Sequence, residues 1–255
     1  MIKNIFNSLL CVNTIIFFTY YDIHLITSVC GIGCFLIYYY LYNESLNNVR
    51  FSLAIAPLKY IDPINEAHKL FYYGSSTIHA LCISLFSTLY LFNIIDNYAI
   101  KQVFFFSMNY YLGDLSYIIN VTKKFTKLEY FMICHHSIMI YYQLYVFIQT
   151  DPILENNLLH YINRGLLAEY SLPTLNYCWY LINTNNSNSN KFFISSIITL
   201  ILYFITRIIN FTLLFYNIFI NGFLVKGIIM APLFFINYYW FYKLICKANK
   251  IYKKK

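Results

Sequence analysis

The chain has 255 residues, of which 60% are hydrophobic and only 11% are charged. A soluble domain has about 25% charged and about 45–50% apolar residues, so this composition excludes an ordinary soluble protein. The apolar residues come in blocks of roughly 20, the length with which a helix crosses about 30 Å of hydrocarbon. The net charge of +8 does not indicate nucleic-acid binding, because the lysines lie at block ends and in the C-terminal tail. The sequence therefore predicts an all-α, polytopic membrane helical bundle.

Long apolar segments are predicted to cross the membrane in chain order. They are residues 23–42, 71–95, 102–122, 129–149, 157–182, 192–217 and 223–245. A further apolar segment at 5–20 is compatible with another span, an interfacial helix or a signal-anchor core. Residues 43–70 are the only sizeable predicted loop, and the VRFSLAIAPLKY stretch within it is typical of an amphipathic interfacial segment.

The distribution of lysine predicts the orientation of the spans, because cytosolic connections are enriched in basic residues. The C-terminal tail and the 123–127 turn are rich in lysine, whereas the 150–156 turn holds Asp151 and Glu155 and no basic residue. We therefore expect a cytosolic C-terminus.

Cysteine and histidine spacing argues against a bound metal. The seven cysteines are scattered singly, and none forms the C-x-x-C pair of a zinc site. A di-iron hydroxylase needs several histidine-rich boxes, and the six histidines include just one adjacent pair, His135 and His136. The sequence therefore predicts neither a metal site nor a bound cofactor.

Ionisable residues inside predicted spans are candidate functional residues, because such groups are costly in a bilayer and usually face a bundle interior. They are His79, Asp114, His135, His136, His160, Arg164, Glu169 and Arg207. At about 1.5 Å per residue, His79, Asp114 and His135 lie about 12 Å from the predicted cytosolic ends of their spans. The shared depth predicts a polar chamber beneath the cytosolic leaflet.

Helical spacing refines this chamber. Tyr111 and Asp114 share a stripe on one helix face, whereas His135 and His136 point about 100° apart. One imidazole can then enter the chamber while the other bonds a neighbouring helix. Pro173 lacks the N–H that the carbonyl of Glu169 would accept in an α-helix, which predicts a free carbonyl beside a buried carboxylate.

We predict catalytic roles for His135, His136 and Asp114, because three titratable groups at one depth are typical of a functional site. We predict substrate-binding roles for His79, Tyr111, Glu169 and Arg207. Two structural alternatives stay open. His79 is compatible with a hydrogen-bonded core histidine, and the acidic groups are compatible with ion pairs to Arg164 and Arg207 that hold the bundle together.

Six segments in series carry a family resemblance. They are STIHAL (76–81), MNYYLGDLSYII (108–119), FMICHHSIMI (131–140), RGLLAEYSLP (164–173), FITRI (204–208) and NYYWFYK (237–243). Together they resemble the TLC-domain membrane proteins, which include the ceramide synthases and small lipid-homeostasis proteins. The resemblance implies a six-helix domain over 70–247 around a lipid-accessible cavity, in the endoplasmic reticulum or a related endomembrane. One or two N-terminal helices in 1–69 precede this domain, and a basic cytosolic tail, 248–255, follows it.

The chain departs from the ceramide synthases after the histidine pair. Glu169 matches their glutamate, but the positions that hold further His and Asp residues in those enzymes read Tyr161, Ile162 and Gly165. The missing acidic partners favour a lipid sensor, carrier or regulator that makes no bonds.

Two alternative functions stay open. The His–Asp set is compatible with an acyltransferase that uses acyl-CoA as co-substrate and a sphingoid base, or another amine or alcohol, as acceptor. A protein cargo receptor or translocon adaptor would make no demand on buried His–Asp groups. In the first two functions the expected partner is a membrane lipid.

Overall fold

The computed structural model describes residues 63–121, 127–184, 186–221 and 224–252. The predicted N-terminal segments at 5–20 and 23–42, and the amphipathic stretch VRFSLAIAPLKY, lie outside the described residues. Within the described ranges all regular secondary structure is helical.

The helices of the described ranges join into six continuous rods. They are α1 (Pro63–Leu91), α2 (Asn97–Val121), α3 (Lys127–Phe147), α4 (Pro152–Leu166), α5 (Leu172–Asn183), α6 (Asn190–Tyr203), α7 (Asn210–Ile220) and α8 (Leu224–Tyr252). A 3-10 segment, Leu167–Ser171, joins α4 to α5, and a π segment, Phe204–Ile209, joins α6 to α7. The rods correspond to the six spans predicted from residue 71 onward, and α8 continues as a helix into the predicted tail.

Helix α1 differs most from its predicted span. It begins at Pro63, because proline is well suited to the first turn of a helix. It ends before Asn93, whose φ of 57° is the left-handed conformation that terminates helices. The prediction of a loop through residue 70 is therefore wrong for 63–70. His79 lies 16 residues after Pro63, about 24 Å along the axis. Its distance from the start of the helix is therefore longer than the predicted distance of about 12 Å from the end of the span, and its depth in the membrane stays a prediction.

The described chain forms two compact units, residues 95–159 and residues 63–94 together with 160–252. In the first unit α2 packs along α3, and Phe104 and Val146 are fully buried. Asp151 caps α4, because its Oδ1 atom accepts a hydrogen bond of 2.9 Å from the backbone N–H of Ile153.

In the second unit α1 packs against α5 and the 3-10 segment, and α8 packs against α7 and the π segment. The side-chain amide of Asn176 ties α5 to α1: its Nδ2 atom donates to the Tyr73 carbonyl and lies within hydrogen-bonding distance of the Ser76 and Thr77 hydroxyls. Trp179 packs on Tyr73 with ring centroids 4.3 Å apart.

The exterior of the rods is apolar. Asn190–Ile220 and Val225–Asn249 are long and apolar enough to cross a membrane by length and composition. Large apolar side chains on them are exposed, including Ile201 at 53% and Phe235 at 66%. Because water disfavours so much exposed apolar surface, the arrangement is that of an all-α membrane protein.

Candidate functional site

A seam of buried residues joins α2 to α3 in the first unit. On α2 the buried positions recur every three or four residues, and the same spacing recurs on α3. The buried seam residues are Phe104, Ser107, Tyr111, Asp114 and Ile118 on α2, and His136, Met139, Gln143 and Val146 on α3. Most are apolar, so the polar members are the candidates for function.

Asp114 and His136 meet across this seam. The Nδ1 atom of His136 lies 3.1 Å from the Oδ2 atom of Asp114. The aspartate is fully buried and the histidine is 3% exposed. A carboxylate beside Nδ1 orients an imidazole and leaves Nε2 as the nitrogen that can take a proton or bind a polar group. The structure therefore places two of the three predicted catalytic residues in direct polar contact.

Aromatic rings surround the imidazole of His136. Tyr111, which is buried, packs against it with ring centroids 5.0 Å apart, and Tyr110 approaches it edge-on at 6.5 Å. Tyr111 also meets the ring of His135 edge-on at 6.2 Å. His135 is only partly buried, so the two histidines have different surroundings, as their 100° separation requires.

A second polar pair in the seam was missed by the sequence analysis. The Nε2 atom of Gln143 donates a hydrogen bond of 3.1 Å to the Oγ atom of Ser107, and both side chains are fully buried. The signal was present in the sequence, because Gln143 lies seven residues after His136 and Ser107 lies seven residues before Asp114. Seven residues are two turns of one helix face.

In the second unit Arg207 is the centre of another buried polar cluster. Its Nε atom donates to the Ala168 carbonyl at 3.1 Å and to the Ser171 Oγ atom at 2.9 Å. One terminal nitrogen donates to Asn237 Oδ1 at 3.3 Å, and the other lies 3.7 Å from Glu169 Oε1. The structure thus pairs Arg207 with Glu169, as the predicted ion-pair alternative requires.

The predicted free carbonyl of Glu169 is wrong. The chain tightens into the 3-10 segment at this point, so the backbone N–H of Leu172 donates to the Glu169 carbonyl. This bond spans three residues where an α-helix would span four, and it replaces the one that Pro173 cannot make. The neighbouring carbonyl of Ala168 accepts a hydrogen bond from the side chain of Arg207, on another helix.

Two further predicted residues, His79 and Arg164, lie in the second unit. His79 is buried in α1 at 2% exposure. Arg164 takes part through its backbone carbonyl, which accepts from the side-chain amide of Asn210. Asp114 lies beside the imidazole of His136, and its alternative as an ion-pair partner of Arg164 stays a prediction. No group of three or more metal-ligating side chains occurs in the described part of the chain.

The fold and its buried polar pairs define a helical membrane protein with ionisable groups in its interior. The family model of the TLC domain matches residues 64–246, and the chain therefore belongs to the TLC-domain family. Membership makes it a membrane protein of lipid-related processes. No curated protein and no solved structure matches the chain.

Proposed function

We propose that the protein binds a membrane lipid within its helical bundle and serves lipid homeostasis, sensing or transport. The observation that supports this proposal is the buried contact between Asp114 and His136 on two neighbouring helices. Burying a carboxylate and an imidazole in a membrane protein costs free energy, so such groups are kept where they interact with a ligand or a partner. The polar head group of a lipid would contact this pair, and its acyl chain would follow the apolar helix surfaces.

Tyr111 and His135 complete the proposed head-group contacts. The ring of Tyr111 packs on both imidazoles and would limit how far the head group can move. For the second-unit residues Glu169, Arg207 and His79, a role in lipid binding stays a prediction from the sequence.

Mass spectrometry of lipids that copurify with the protein tests this proposal. We expect one lipid class to be enriched over the surrounding membrane in the natural protein. In the Asp114→Asn/His136→Ala double variant we expect the enrichment to fall about tenfold, because lost hydrogen bonds to charged groups are worth about 1.5–3 kcal/mol. Ser137→Ala is the matched control, since Ser137 follows His136 but is exposed. Identical lipid profiles in all three proteins would show that the pair is structural.

A second candidate is acyl-CoA-dependent acyl transfer, which the Nδ1 contact between His136 and Asp114 favours. Asp114 would orient the imidazole while Nε2 of His136 takes the proton from an acceptor amine or hydroxyl. The acceptor's lone pair would attack the thioester carbonyl, forming a C–N or C–O bond. The C–S bond would break, and CoA would leave as the thiol after protonation. A sphingoid base is the proposed acceptor.

Purified protein supplied with radiolabelled acyl-CoA and a long-chain base tests the second candidate. We expect amide product in the natural protein and a loss of about 10²–10⁴-fold in His136→Ala, the usual contribution of a general base. Ser137→Ala should retain the rate. Absence of product over a range of amine and alcohol acceptors would eliminate acyl transfer and leave lipid binding.

We further propose that the protein resides in the endoplasmic reticulum or a related endomembrane, with its C-terminus in the cytosol. The lysine-rich tail and the lysine-free 150–156 turn support this orientation.

A further inference from the structure

The two polar pairs of the α2–α3 seam share one register. Ser107 precedes Asp114 by seven residues, and Gln143 follows His136 by seven residues. Both contacts are 3.1 Å long. The second pair therefore lies two turns before the first pair on α2 and two turns after it on α3. The helices therefore run antiparallel, with the pairs about 10 Å apart along the seam.

The hydrophobic effect contributes little to holding this register. In a bilayer the lipid tails are as apolar as Phe104, Met139 or Val146, so no hydrophobic driving force penalises a sliding of α3 along α2. A slip of one turn moves facing residues by about 5.4 Å. Such a slip would separate His136 from Asp114.

We propose that Ser107 and Gln143 form a register lock that positions His136 against Asp114. A single buried polar pair can specify the register of packed helices even where it does not increase their stability. The inference rests on the proposed function of the Asp114–His136 pair, and it makes Gln143 a positioning residue that need not touch lipid.

The side-chain oxygen of Gln143 allows a positioning role to be distinguished from a purely stabilising one. Its Oε1 atom is buried and has no hydrogen-bond partner among the described residues. Because an unsatisfied buried acceptor costs free energy, replacing both polar groups with apolar ones is expected to leave stability nearly unchanged. The Ser107→Ala/Gln143→Leu variant should therefore stay folded while its register is lost. If the pair only stabilised the helices, this variant would be less stable but would keep its native register.

Disulfide cross-linking in a cysteine-free background reads the register directly. Val146→Cys combined with Phe104→Cys reports the native register, because both residues lie three positions beyond the Ser107–Gln143 pair. Val146→Cys combined with Ile100→Cys or Met108→Cys reports a slip of one turn in either direction. Cysteines whose Cα atoms are more than about 7 Å apart do not bridge without backbone movement, so a one-turn slip changes the pattern.

We expect only the native pair to cross-link when Ser107 and Gln143 are present. In Ser107→Ala/Gln143→Leu we expect a slipped pair to cross-link as well, and copurifying lipid to fall about tenfold as in the Asp114–His136 double variant. The exchanged pair, Ser107→Gln/Gln143→Ser, should restore both the single cross-link and the lipid.

Other results would contradict either the register lock or the proposed function of the Asp114–His136 pair. A native-only cross-link in the apolar double variant would overturn the register lock, whatever the lipid content. A slipped cross-link with unchanged lipid would support the lock but contradict the proposed function of Asp114 and His136. Failure of the exchanged pair to restore the native cross-link would also overturn the lock, since glutamine and serine can form the same hydrogen bond with their positions exchanged.

Discussion

The guanidinium of Arg207 shows how a buried cation is accommodated in this protein. Its Nε atom bonds the Ala168 carbonyl and the Ser171 hydroxyl, and its terminal nitrogens reach Asn237 and Glu169. The distance to the Glu169 carboxylate, 3.7 Å, is the longest of the four. The neutral acceptors therefore hold the guanidinium in place, and the carboxylate balances its charge.

We predict that Arg207→Met destabilises the protein far more than Glu169→Gln. Removing the cation takes the guanidinium away from a buried carboxylate and a backbone carbonyl, and breaking a buried ion pair in this way costs about 3–5 kcal/mol. Glu169→Gln leaves the three neutral acceptors of Arg207 intact. The free energy of unfolding in mixed detergent micelles measures both variants.

Arg207→Met/Glu169→Gln provides the control for this prediction. It should recover part of the lost free energy, because the buried carboxylate is then removed together with the guanidinium. Equal destabilisation by Arg207→Met and Glu169→Gln would mean that the charge interaction, and not the neutral acceptors, dominates the site.

At the scale of single residues, the sequence identified the groups but not their partners. Ionisable side chains within apolar spans are unusual, and this alone predicts functional roles for Asp114, His136, Glu169 and Arg207. Adjacent positions could not distinguish the environments of His135 and His136, since either can face the neighbouring helix. The packing of α2 on α3 determines that His136 is the histidine that faces Asp114.

Among the elements, two short departures from α-helical geometry meet in the second unit. The 3-10 segment carries Glu169 and Ser171, and the π segment carries Arg207. Their packing against each other brings the charged groups together. Such π segments are frequent at functional sites.

The sequence predicted the position of the first departure but not its form. Pro173 signals that an α-helical hydrogen bond to Glu169 is missing. The sequence does not show how the chain compensates, because a 3-10 turn, a kink or a side-chain donor would each satisfy the carbonyl. The π segment at 204–209 has no comparable signal, since it contains neither proline nor glycine.

For the whole molecule, the proposed orientation in the membrane leads to a labelling prediction. In sealed vesicles with the cytosolic face outward, a membrane-impermeant maleimide should label Lys247→Cys but not Thr150→Cys in a cysteine-free background. Both positions are exposed, and lysine placement predicts that they face opposite sides.

Detergent controls this experiment, because it should make both cysteines reactive. Labelling of Thr150→Cys in sealed vesicles would contradict the predicted number of crossings. Protection of Lys247→Cys would contradict the cytosolic C-terminus. Either result would also remove the argument that Asp114 and His136 lie near the cytosolic leaflet.

The sequence by itself determined the membrane class, the family and the helical rods. These properties follow from composition, block length and local spacing, which are set along the chain and need no contact between helices. Only the tertiary structure decided that His136 faces Asp114, that Arg207 meets Glu169, and that Gln143 bonds Ser107. The physical reason is that each of these contacts joins residues on different helices, distant in sequence, whose relative placement local spacing along the chain does not set.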